Sequence, residues 1–180
     1  NAPAGRVIAV DVRRPEPGHW REVVAQNAAA IAGASLVGGR IIVQYIADVK
    51  SQVRVFGLDG REHGAIQLPG PGTVAGFEGP AASSETFFFF SDFMTPPSVF
   101  RHDLERGGSQ PLHTPQAGID PRDYVTRQVY YQSRDGTGVP MYIVHRRDLR
   151  SGEPHPAVLY GYGGFDVSLL PAYSASRAAW

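Results

Sequence analysis

The feature that most limits what this chain can fold into is a set of four short apolar runs that returns after about 45 residues. The first copy reads Ala34-Ser35-Leu36-Val37, a Gly38-Gly39 turn, Ile41-Ile42-Val43-Gln44-Tyr45-Ile46, Val53-Arg54-Val55-Phe56 and Ala65-Ile66-Gln67-Leu68. The second reads Val74-Ala75-Gly76-Phe77, Thr86-Phe87-Phe88-Phe89-Phe90, Ser98-Val99-Phe100-Arg101 and Gln110-Pro111-Leu112-His113. Val55 and Val99 stand 44 residues apart, and Val43 and Phe88 stand 45 apart. Four strands at that period make the blade of a β-propeller, a small sheet that needs neighbours to cover its faces. A β-sandwich with coincident strand spacing is the competing arrangement. The run Phe87 to Phe90 weighs against it: a strand apolar at every position expects cover on both faces, as between blades stacked face to face. A ring takes at least about four blades, so the two read here are expected to belong to a longer chain. Upstream, Val7-Ile8-Ala9-Val10-Asp11 and Trp20-Arg21-Glu22-Val23-Val24 add two more short runs.

Composition narrows the function classes. With 15 Pro and 21 Gly among 180 residues and a charged fraction of 19%, the chain suits short strands and tight turns. Lys plus Arg equals Asp plus Glu at 17 each, so neither a nucleic-acid partner nor a cationic one is announced. Lys50 is the single lysine. No cysteine is present, which excludes disulfides and thiolate metal sites and leaves cytoplasm and periplasm equally open. No apolar run approaches the length of a membrane span, so a soluble protein with no membrane partner is expected. The chain opens on Asn1-Ala2-Pro3 without Met and without a secretory signal, and its true start is expected to lie further upstream.

From Gly118 the pattern changes, and we place a boundary there: blades over 1–117, a second unit over 118–180. Asp120-Pro121-Arg122-Asp123 is rich in turn formers, and Val125 to Tyr131 alternates as a strand. An Asp135-Gly136 turn then returns the chain along Val139 to Val144, with Pro140 expected near the start of that second arm. Ala157-Val158-Leu159-Tyr160 is a short continuous apolar run, expected as a strand buried on both faces. It leads into Gly161-Tyr162-Gly163-Gly164-Phe165 and a Ser/Ala/Arg segment that opens a helix. Three glycines in that stretch predict backbone that bends sharply or approaches something closely. Two tyrosines and a phenylalanine beside them suit a small-molecule or peptide pocket. A hairpin, a buried strand, a glycine-rich loop and a helix start form the opening of an α/β-hydrolase sheet, whose loop after the third strand contributes to an oxyanion hole.

These residues resemble the prolyl oligopeptidase family of serine peptidases. The resemblance runs through Gly118-Ile119-Asp120, Asp123-Tyr124, Ser133 to Thr137, Pro140 to His145 and Tyr160 to Phe165, and continues at Pro171, Tyr173, Ser174 and Ser176-Arg177. It is looser over residues 1–115, in the order of strands and in patches such as Asp48-Val49-Lys50. It implies the last blades of a seven-bladed propeller followed by the first strands of an α/β-hydrolase domain, in a monomeric enzyme that cleaves short proline-containing peptides after proline without a cofactor. It assigns Tyr162 as the phenol that donates to the oxyanion, Phe165 as a wall of the substrate pocket, and Gly161, Gly163 and Gly164 as the backbone that lets the loop pass close. One such donor in a dry site is worth roughly 3 to 4 kcal/mol of transition-state stabilisation. The bland alternatives are a buried tyrosine bonded to a nearby carbonyl and a phenylalanine packed in a core.

The departures are as informative. Acyl transfer needs a nucleophile, and no Gly-x-Ser-x-Gly elbow occurs in the 180 residues. In that fold Ser, acid and His follow the glycine loop in chain order, so the triad is expected beyond Trp180, in the remainder of the same polypeptide, and this segment alone is expected to be inactive. His19, His63, His102, His113, His145 and His155 lie in separate strands or loops without the spacing of a metal pair, and each reads as a surface or locally bonded histidine. Gly161 to Gly164 lacks the Lys-Ser/Thr pair of a phosphate loop. Two rivals stand beside the main reading: a non-enzymatic propeller interaction module, and a sister peptidase cleaving after basic residues. The latter wants acidic groups near the loop, where Asp166 is the one candidate.

Overall fold

The computed structural model describes residues 2–150, 152–165 and 167–180. Strands β1 (Val7–Ala9) and β2 (Arg21–Val24) pair antiparallel. Strands β3 (Ala30–Val37), β4 (Arg40–Ala47), β5 (Lys50–Gly57) and β6 (Glu62–Ile66) make one four-stranded sheet in chain order. Strands β7 (Thr73–Glu78), β8 (Glu85–Ser91), β9 (Ser98–Asp103) and β10 (Ser109–His113) make a second with the same meander. The repeat read from the sequence is therefore two successive blades, with β4 and β8 as second strands and β5 and β9 as third strands.

Period-two alternation sends side chains to opposite faces of each sheet. In β4, Ile42 joins Val53, Val55, Ile66, Val74, Phe77, Phe88 and Phe90 in a core between the two blades. Its neighbours Ile41, Val43 and Tyr45 face the other way, onto Val23, Val24 and Phe56 beneath β1 and β2. Polar bonds register the blades: Ser35 Oγ donates to the Phe77 carbonyl at 2.6 Å and Gln44 Nε2 to the Gly76 carbonyl at 3.0 Å. The register slips between Gly76 and Glu78, and Phe77, fully buried, takes φ 69° at that bulge.

Within the described residues one face of β8 is covered. Phe88 and Phe90 are 1% exposed, while Phe87 and Phe89 are 41% and 52% exposed. The latter pair point to the far face of the second blade, against which no described sheet packs.

Strands β11 (Tyr124–Gln132) and β12 (Gly138–Arg146) form the expected hairpin, with Pro140 opposite Tyr130. Asp120 opens it: its Oδ1 accepts from the Arg122 backbone N–H, and the Arg122 guanidinium beside it holds its carboxyl at about 2. A short helix α1 (Ala175–Ala179) starts where expected, with Ser174 Oγ accepting from the Arg177 N–H. The strand expected over Ala157 to Tyr160 is not formed, and those four residues are exposed. The hairpin's ladder runs between β11 and β12 alone, so 157–160 finds no flanking strand among the described residues, and an unpaired extended segment gains neither ladder bonds nor cover. Among the described residues of 118–180, Pro171 alone is buried.

Candidate functional site

The glycine-rich stretch lies on the surface between the hairpin and α1. Tyr160 is exposed, Tyr162 is 50% exposed and Phe165 92% exposed. Neither bland alternative describes them here, because Tyr162 is not buried and Phe165 packs in no core. A Cβ added at Gly164 would come within 3.7 Å of the Tyr162 hydroxyl, so the phenol folds back over that glycine. Gly161 and Gly163 would meet nothing within 4 Å, and none of the three glycines has positive φ. Within the described chain only Gly164 of the three has a neighbour packed over it. The left-handed residue is Phe165 instead, at φ 55°, in a turn closed by the Val167 N–H on the Gly164 carbonyl. The structure brings Tyr162 and Gly164 together and leaves Phe165 pointing away into solvent. Asp166, the candidate acid of the rival reading, lies outside the described residues.

What holds this stretch in place was not legible beforehand. Thr73 Oγ1 donates to the Pro171 carbonyl at 2.7 Å, tying the chain after the glycines to the start of β7. Tyr173 donates its hydroxyl to the Ala117 carbonyl at 3.1 Å and its backbone N–H to Ser91 Oγ at 3.3 Å. At the other end Gln128, in the middle of β11, bonds the β4–β5 turn: its Nε2 donates to the Asp48 carbonyl at 2.7 Å. Its Oε1 accepts from Lys50 Nζ at 3.2 Å, which gives the single lysine a contact the sequence did not foretell. Beside it the Tyr142 and Phe93 rings meet at 5.2 Å.

Two cavities, of about 240 and about 470 Å³, lie between or along the blades and are not lined by residues 160–165. His102, buried beside the smaller one, shares a 2.9 Å hydrogen bond between its Nδ1 and Ser109 Oγ. Burial pushes its imidazole below the ordinary range against the opposing pull of Asp103. His145 and His155 bond the Arg146 and Arg150 carbonyls, as locally satisfied histidines do. Among the described residues no three His, Asp or Glu side chains cluster as metal ligands.

Blades of this geometry invite comparison with known propellers, and residues 1–115 match the family model described as the prolyl oligopeptidase N-terminal β-propeller domain. The chain belongs to the prolyl oligopeptidase family. Within that family it is 35% identical over its whole length to a prolyl endopeptidase of Elizabethkingia miricola, covering 25% of that relative. It is 33% identical, again over its whole length, to a prolyl endopeptidase of Elizabethkingia meningoseptica, and again covers 25% of it. The chain thus spans about a quarter of the curated relatives it matches. Among solved structures, one from a structural and mechanistic study of two prolyl endopeptidases superposes over 99% of this chain with a TM-score of 0.91 at 35% identity, and the match covers 27% of that structure. Apo prolyl oligopeptidase B of Galerina marginata superposes over 97% of this chain and 26% of its own, with a TM-score of 0.82 at 28% identity. No described helix is long and apolar enough to cross a membrane.

Proposed function

We propose that this chain is the part of a prolyl-endopeptidase-type serine hydrolase that joins the last blades of a seven-bladed propeller to the opening of an α/β-hydrolase domain. The boundary falls at 117/118, where the meandering blades give way to the β11–β12 hairpin. The observation that carries the reading is the 35% identity to a prolyl endopeptidase over a match that spans all 180 residues. In this reading Tyr162 donates its phenol to the oxyanion formed when a peptide carbonyl after proline is attacked. Phe165 lines the pocket, and Gly161, Gly163 and Gly164 keep the loop slim enough to pass the substrate. The half-exposed Tyr162 and the fully presented Phe165 support it, since both are available to a facing surface rather than spent in a local core. The remainder of the polypeptide supplies the Ser, the acid and the His and brings the short proline-containing peptides to the loop. These 180 residues alone carry no turnover.

The test is Tyr162→Phe in the full-length protein. Turnover of a proline-containing fluorogenic peptide should fall about tenfold to a thousandfold with KM little changed, the range for one oxyanion donor. An unaltered rate removes Tyr162 from the mechanism.

A further inference from the structure

Alternation along the strands sends one row of side chains from each blade into the interface between them. In the first blade Ile42, Val55 and Gly64 stand side by side across β4, β5 and β6, and Arg40 lies two residues before Ile42 on the same face. In the second blade His102 of β9 pairs with Thr86, in step with the buried Phe88 of β8. Ile42 and Val55 pack against Phe88, but beyond them the apolar filling stops. Gly64 has no side chain to offer, and a Cβ there would meet nothing within 4 Å. The sheets part at that end around the smaller cavity, of about 240 Å³, which Arg40 and His102 line from opposite blades.

The charges there are left uncompensated. Arg40 is half-buried and has neither an ion-pair nor a hydrogen-bond partner among the described residues. His102 is 7% exposed and its Nδ1 is engaged by Ser109 Oγ. Its Nε2 has no partner among the described residues and, unlike the hydroxyls of Tyr45 and Tyr142, is not sealed from the cavity. Once protonated, the ring donates from both nitrogens, Nδ1–H to Ser109 and Nε2–H into the open space. Arg40 opposes that protonation, so two cationic groups face each other with nothing between them. Of the other charged groups around the cavity, His63, Glu105 and Arg106 are exposed at its rim. Asp103 caps its own turn, accepting from the Glu105 and Arg106 backbone N–H groups. We propose that this inter-blade cavity binds a small doubly charged oxyanion of the sulfate or phosphate class, held by the Arg40 guanidinium and the Nε2–H of protonated His102. The ion supplies the missing counter-charge and bridges β4 of one blade to β9 of the next. It favours the charged imidazole, so its binding and proton uptake are linked, and affinity rises as pH falls through the titration of His102. The site lies within the two blades and is independent of the role given to Tyr162.

The experiment is calorimetric titration of the full-length protein with sodium sulfate, whose charge is constant over the pH range used, against a chloride background of matched ionic strength. Wild type should show a saturable site that tightens about three- to tenfold between about pH 7.5 and about 5.5. Arg40→Gln should weaken it about tenfold or more, the loss of a charge-assisted pair. Arg13→Gln, on the exposed connection between β1 and β2, should leave it unchanged. His102→Gln, whose amide can keep a bond to Ser109, should retain the weaker binding of high pH and lose the pH dependence. That variant decides the matter where Arg40→Gln fails to fold. Acetate, with a single charge, should bind about tenfold more weakly than sulfate. The proposal is overturned by the absence of a saturable sulfate site, by equal affinity in wild type and Arg40→Gln, by a pH dependence that survives His102→Gln, or by acetate binding as tightly as sulfate.

Discussion

The rings of Phe77 and Phe88 stack 4.7 Å apart and 12° from parallel, one from the bulge of β7 and one from the middle of β8. Phe100 stacks in turn on Phe88 at 5.2 Å, so the inter-blade core has an aromatic column at its centre.

Truncating that column should hurt in a way its exposed neighbours do not. Phe88→Ala should lower stability by about 3 to 5 kcal/mol, the range for deleting a buried aromatic. Phe87→Ala, one residue away and on the open face of the second blade in this chain, should lower it by about 1 kcal/mol or less. Urea unfolding of the two variants of the 180-residue chain checks this; equal losses would show that both faces of β8 are packed in solution.

The β3–β4 turn offers a second contrast between adjacent residues. Gly38 and Gly39 both have positive φ, but a Cβ on Gly38 would lie 2.4 Å from the Ser83 carbonyl of the next blade and 2.7 Å from Leu104, whereas one on Gly39 meets nothing within 4 Å. Gly39→Ala should cost only the left-handed strain, about 1 to 2 kcal/mol. Gly38→Ala adds overpacking against a backbone that has no room to yield, for a total of about 2 to 5 kcal/mol. Thermal unfolding of the pair decides whether the blades are as closely set as the structure has them.

Acid should weaken the blade interface through His102. Burial lowers its pKa in the folded protein below the ordinary 6.5, against the raising effect of Asp103 and with a smaller lowering one from Arg40. The unfolded chain therefore holds the proton more tightly than the folded one, and stability rises with pH across the window between the two values. The contribution is fully present above 6.5 and is lost as pH falls through the folded value. For a single proton the slope is at most about 1.4 kcal/mol per pH unit. The difference between wild type and His102→Gln, followed by urea unfolding from pH 7.5 down to about 4.5, should shrink on acidification. A difference that stays constant would show that His102 does not titrate differently on folding.

Much of this molecule was legible in the order of its residues, for reasons that are local. Two blades could be read from strand spacing, because alternation and Gly-Gly or Asp-Gly turns act within a few residues of themselves. The β11–β12 hairpin and the Ser174 cap on α1 followed from the same short-range rules. The run Phe87 to Phe90 left one thing open: four apolar residues look alike in sequence while the pleat points them two ways, and the blades described here cover only the face of Phe88 and Phe90. Ala157 to Tyr160 misled for a related reason: its apolar residues name a strand only when flanking strands supply the ladder.

What tertiary structure alone decided is where distant residues meet. Nothing in the chain marks Thr73 as the partner of Pro171, or the single lysine as the partner of Gln128 across 78 residues. Nor does it tell that Val49, unremarkable as a letter, is held in a left-handed turn it would not choose. Local chemistry in the sequence determined the elements and the family they belong to. Contacts between elements, whose free energy exists only once the blades have stacked and the hairpin has closed on them, decided which of those residues bear strain and which hold the glycine stretch in place.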